Sequence, residues 1–151
     1  MGTGNTETDD KEQRLQQAQS EKSSQENKRW QKQNQVSTNE EKIRRLKVVK
    51  TNLEYEKSNA KKNRENLKKY PEGTENLGDW YGAMYSSIKT TLENDVVAQY
   101  DGYVKRIDEA LDSVCDEITR LQNENMQLEW DILHIGSLIN SLINEIATLC
   151  N

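Results

Sequence analysis

Few side chains in this 151-residue chain could coordinate a metal, attack a carbonyl or move a proton near neutral pH. There is one histidine, His134, and there are two cysteines, Cys115 and Cys150. A single imidazole and two distant thiols cannot assemble the three or four ligands that a bound zinc requires. The acidic residues are spread along helical spacing, which describes a solvated face, and no nucleophile stands beside a base. No glycine-rich phosphate loop is present. The expectation is a protein without catalytic residues, cofactor or metal. Cys115 and Cys150 fall on one predicted helix and cannot bridge within it, and they read as reduced residues flanking a seam rather than as an interchain disulfide of a parallel dimer.

The chemistry this sequence does support is apolar association. Fourteen positions run 3-4-3-4 without a slip: Val104, Ile107, Leu111, Val114, Ile118, Leu121, Asn125, Leu128, Ile132, Ile135, Ile139, Leu142, Ile146 and Leu149. A repeat of 3.5 residues holds one narrow stripe in line along a helix and specifies a left-handed coiled coil with another helix. Asn125 is the one polar member and takes an a position. An Asn there costs stability but pairs best with a polar partner in register, so it either selects alignment and strand number or is a tolerated interruption. Ile at a with Leu at d favours a parallel dimer when taken alone.

The elements that must carry this stripe follow from composition. Only 32% of the chain is hydrophobic, 31% is charged, and there is one Pro and no Phe. That composition builds a thin bundle of long helices rather than a thick core. Residues 1–39 form a polar, Gln-rich arm that is expected to be weakly helical or disordered. Residues 40–151 are expected to form an all-α antiparallel hairpin. Ser37-Thr38-Asn39-Glu40 has capping-box spacing for a first helix over about 40–70, with the seam Ile43, Leu46, Leu53, Ala60 and Leu67. Pro71-Glu72-Gly73 ends it, a loop over 71–82 follows, and a long coiled-coil helix runs over about 83–150. Gly102 is its weak point. Met1–Asp10 has no signal-peptide pattern, and Ile132–Asn144 reads as too short and too rich in Asn and Ser to enter a bilayer. A soluble, cytoplasmic protein without membrane insertion is expected.

Charge indicates how the helices meet. Lys42–Lys69 holds 11 basic and 3 acidic residues, a net of +8, whereas Glu72 to the end holds 4 basic and 15 acidic, a net of −11. A basic helix followed by an acidic one folds back on itself. With closure at 71–82, Leu46 falls near Ile107 and Leu53 near Tyr100, and Glu93, Asp95, Asp101, Asp108 and Glu109 face the basic stretch. The run Lys42, Arg44, Arg45, Lys47 and Lys50 is therefore balanced within the chain, and nucleic acid is not an expected partner. In this register only the polar arm lies opposite residues 128–149. Leu133, Leu138 and Ile143 widen that apolar face, and Trp130 sits on its far side. A partner helix is expected to cover it, through Asn125, Leu128, Trp130, Ile132, Ile135, Ile139, Leu142, Ile146 and Leu149.

Trp80-Tyr81-Gly82 lies between the two helical segments, after a Gly-rich turn, with Ala83, Tyr85 and Ile88 on one side of the helix that follows. This resembles the Trp-x-Gly hairpins of bacterial type VII (ESX-like) secretion. Together with the Lys-rich Leu-x6-Leu helix, Tyr100-x-x-Tyr103, Ile107-Asp108 and the acidic helix through Leu128-Glu129, the layout is similar to the YwqH-like proteins over about residues 40–150. The resemblance implies a hairpin turn organised by Trp80 and Gly82. It also implies a targeting chaperone that binds the helical N-terminal region of an LXG-domain toxin, with or without a second small helical protein and with or without co-export. Related substrates carry a Tyr- or Phe-based export signal near the last helix, but this chain has no Phe and no Tyr after Tyr103, which assigns that signal to a partner. A self-assembling homodimeric coiled-coil scaffold without a toxin client remains the alternative from a different class.

Overall fold

From Asn5 to Tyr70 the sequence contains neither Gly nor Pro, and it is dense in Gln, Glu, Lys and Arg, so nothing in it interrupts a helix once one forms. In a computed structural model, which describes residues 4–69 and 79–151, this stretch is one helix, α1, Gly4–Lys69. The second arm of the hairpin comprises α2, Asp79–Thr91, a π-helical turn over Leu92–Val96, and α3, Val97–Cys150. The described residues contain no strand, and the fold is an all-α helical hairpin. The expected loop at Pro71-Glu72-Gly73 lies outside the described residues. So does the Trp80 side chain, although its backbone belongs to α2.

The helix start expected at Ser37 is not there. Ser37-Thr38-Asn39-Glu40 is helix interior, and Thr38 Oγ1 donates back to the Asn34 carbonyl at 2.9 Å instead of capping. Hydroxyls in helix interiors commonly bond this way. The residues of α1 that lose solvent explain why the helix continues. Apart from Glu26, Glu41 and Asn59 beside the line, they run Leu15, Ala18, Lys22, Gln25, Arg29, Lys32, Val36, Asn39, Ile43, Leu46, Lys50, Leu53, Lys57, Ala60, Arg64 and Leu67, again with 3-4 spacing. The seam expected over Ile43–Leu67 is thus present, and the same heptad continues through the arm with Lys, Gln and Arg in half of its positions.

The chain forms two compact units, Met1–Ile43 with Arg120–Asn151, and Arg44–Thr119. In the first, Asn39 bonds to Asn125 and fixes the antiparallel register of α1 on α3. Heptad steps from that pair set Ile43 against Leu121 and Val36 against Leu128. They then set Lys32, Arg29, Gln25 and Lys22 against Ile132, Ile135, Ile139 and Leu142. The ion pairs Lys32–Asp131 at 3.0 Å and Arg14–Glu145 at 3.5 Å lie along the edge of this register.

In the second unit, Lys57 pairs with Asp108 and Arg64 with Asp101. These pairs align Leu46 with Ile118, Leu53 with Leu111, Ala60 with Val104 and Leu67 with Val97. The register expected from closure at 71–82 is therefore corrected: Leu46 does not face Ile107, nor Leu53 Tyr100. Charge attracts the two helices but is nearly indifferent to a slide of three turns, whereas the polar and apolar layers are not. Of the acids expected to face the basic stretch, Asp101 and Asp108 pair with it, while Glu109 and, in the π turn, Glu93 and Asp95 are exposed.

Candidate partner-binding surface

Leu121 is 1% exposed and Asn39 is fully buried, so the first unit has a real, if narrow, core. Its centre is polar. Asn39 Nδ2 donates to Asn125 Oδ1 at 2.9 Å and to Glu124 Oε1 at 3.2 Å, while Asn39 Oδ1 accepts from Gln35 Nε2 at 3.0 Å. Glu124 is held in turn by Arg120 Nη1 at 3.0 Å. A buried amide with its groups satisfied is tolerated, whereas one left unpaired costs the desolvation of each group. The polar partner that the a-position Asn125 calls for is thus on the same chain. Sequence reading missed Asn39 because it was taken as part of a helix cap. Its place one heptad step from Ile43 was the available signal.

The expected partner stripe was read as opposed only by a polar arm and so left for a partner helix; in the structure that arm is helical and the stripe loses solvent. Ile135, Ile139 and Leu142 are buried, and Leu128, Ile132, Ile146 and Leu149 are half-buried, within the unit that contains α1 up to Ile43. The cover is an unusual one. Lys22 and Lys32 keep 33% and 34% of their side chains in water, as expected of long stems that lie over apolar atoms while their ammonium ends pair with Glu26 and Asp131 at the edge. Asp131 receives the Lys32 ammonium and, at 3.1 Å, the Gln127 amide. The hydrogen bond from Lys32 comes first, then that from Gln127, in holding its carboxyl below the usual range.

Trp130 is placed apart from the other expected contact residues. It is 68% exposed on the outer side of α3, beside Met126 and Leu133, which are 59% and 67% exposed. The spacing of four and then three residues puts these three on one face, where Met126, Glu129, Trp130 and Leu133 line a shallow groove. Leu138 and Ile143 are also exposed apolar residues of this helix. Gly82 lies inside α2 and is exposed. A methyl group built on it meets nothing within 4 Å among the described residues. Ala83 and Ile88 are exposed and Tyr85 is half-buried.

Cys115 and Cys150 are free, and His134 is exposed. Among the described residues no cluster of three or more His, Cys, Asp or Glu could hold a metal ion. By length and composition alone, the helix Gly82–Cys150 contains an 18-residue window apolar enough to cross a membrane, a window that sequence reading discounted for its Asn and Ser. A family model described as YwqH-like matches residues 20–144. Among curated proteins and solved structures nothing matches this chain.

Proposed function

Because this chain belongs to the YwqH-like family, we propose that it is a non-enzymatic targeting chaperone that binds the helical N-terminal LXG region of a type VII secretion toxin. It acts in the cytoplasm, and co-export with its client is a variant of the same reading. The observation that carries the proposal is the exposed face of Met126, Trp130 and Leu133 on a helix whose seam is already occupied. A contiguous apolar surface that the fold does not use favours association, and an exposed Trp is the side chain most often found anchoring it. The scaffold alternative is less favoured, because Asn125 has a polar partner in Asn39 of the same chain and needs no second copy for it.

The test is co-expression with the helical N-terminal region of an LXG toxin encoded beside this chain, followed by size exclusion and mass measurement. The expected outcome is a defined complex that Trp130→Ala together with Leu133→Ser weakens by about tenfold or more. Absence of any complex, with this chain a stable parallel dimer by itself, overturns the reading in favour of the scaffold.

A further inference from the structure

The four layers from Lys22 to Lys32 oppose polar side chains to Ile and Leu, and no apolar residue of α1 enters that seam between Ala18 and Val36. The stripe Ile132–Leu142 on α3 is therefore covered by hydrocarbon stems whose polar ends must remain in water, and this is a weaker complement than branched side chains would give. The rim of the stripe is acidic at Asp131 and Glu145, and α1 meets each with a base, Lys32 and Arg14.

We propose that residues 11–36 of α1 are a displaceable cover, and that the occupant which replaces them is a helix of a partner chain antiparallel to α3. This partner helix has Leu or Ile where α1 has Lys22, Gln25 and Arg29, and it keeps basic residues opposite Asp131 and Glu145. A second copy of α3 does not meet these terms. It would bring its own Asp131 and Glu145 to an acidic rim, and like charges set opposite each other in a coiled coil disfavour pairing. The arm would then hold the stripe out of water until a better-matched helix arrives. This goes beyond the partner reading above, which rests on the outer face at Trp130, since it gives the seam an occupant of its own.

The probes are two synthetic peptides spanning residues 7–40, one of native sequence and one carrying Lys22→Leu, Gln25→Leu and Arg29→Leu. Each is titrated into the full chain, with fluorescence anisotropy reporting binding and hydrogen exchange reporting the arm. The substituted peptide is expected to bind about tenfold or more tightly than the native one and to speed exchange at residues 11–36 as it binds. The same three substitutions made in the full chain should fasten the arm and weaken that binding by about tenfold.

Equal binding of the two peptides would overturn the proposal. Binding without faster exchange in the arm would show a third helix added rather than a cover displaced, and would also overturn it. So would a chain that releases its arm by pairing with a second copy, seen as a concentration-dependent mass in sedimentation. Peptide exchange with no toxin complex would instead retain the cover and discard the toxin reading.

Discussion

The two compact units use the same heptad to different ends. In Arg44–Thr119, the charged seam residues Lys50, Lys57 and Arg64 alternate with Leu46, Leu53, Ala60 and Leu67, and Lys57 and Arg64 each reach an acid on α3. In the unit that joins Met1–Ile43 to Arg120–Asn151, four polar positions follow one another against the most apolar part of α3. Among the described residues only Lys32 of those four reaches an acid on that helix; Lys22 pairs with Glu26 on its own helix. The difference teaches that equal spacing does not mean equal fastening. Alternation lets each charge sit between apolar layers, whereas a run of polar positions leaves the stretch between Ala18 and Val36 with only side-chain stems to bury.

The contrast can be broken hardest at Leu121, which packs in the layer of Ile43. Leu121→Ala is expected to cost about 2–5 kcal/mol, and hydrogen exchange should then accelerate over residues 4–43 more than over 44–69. Uniform acceleration would mean that the two units do not differ in fastening.

Next in size is the amide pair. Asn125→Leu removes the buried acceptor of Asn39 Nδ2, leaving Asn39 its bonds to Glu124 and Gln35, and is expected to cost about 1–3 kcal/mol in urea unfolding. Asn39→Leu with Asn125→Leu should recover most of that loss while loosening register, which single-cysteine crosslinking between α1 and α3 would report. A double variant as unstable as the single one would show that the pair does more than fix alignment.

Gly102→Ala strengthens the other unit without touching the first. A methyl group at Gly102 meets nothing within 4 Å among the described residues, so the helical preference of Ala should add about 1 kcal/mol. An unchanged or lowered melting temperature would show that this position serves something other than helix continuity.

The ion pairs are expected to matter less. Asp101→Asn and Asp108→Asn should each cost about 0.2–1 kcal/mol, because their carboxylates are about half exposed, and the cost should shrink in high salt. A loss that is large and independent of salt would mean that these pairs, rather than the apolar layers, fasten the second unit.

The smallest effect is at Asp131, whose carboxyl is held below its ordinary value of 3.8. A depressed carboxylate favours the docked arm above that ordinary value, and its contribution fades as pH falls through its own lower one. In an NMR titration Asp131 should therefore protonate late as acid is added, and Lys32→Met should move it back toward the ordinary value. Ordinary titration in the unaltered chain would show that Lys32 does not rest there.

Much of this was legible residue by residue. The 3-4 spacing from Val104 to Leu149 announced the long helix and the charge contrast announced a hairpin, while Asn125 stood open between a residue that calls for a polar partner and a tolerated interruption. The seam of α1 was only half visible, since Ile43, Leu46, Leu53, Ala60 and Leu67 are apolar letters but Lys22, Gln25, Arg29 and Lys32 are not. Whether a Lys stem lies on a hydrophobic stripe depends on a neighbour that a one-dimensional pattern does not contain. The same blindness made Asn39 look like part of a cap and the terminal stripe look uncovered. The face at Trp130 was legible in part, because its far-side position on the heptad was known, but not that Met126 and Leu133 join it.

The sequence by itself determined that the chain is helical, that α3 carries one continuous apolar stripe, and that opposite charges bring a second helix against it, because these follow from local spacing and net charge. Only the tertiary structure decided the register, the continuity of α1 through the arm, and which apolar residues are covered. Those depend on which layer meets which across the hairpin, and there the bond between Asn39 and Asn125 outweighs the shallow preference of charge.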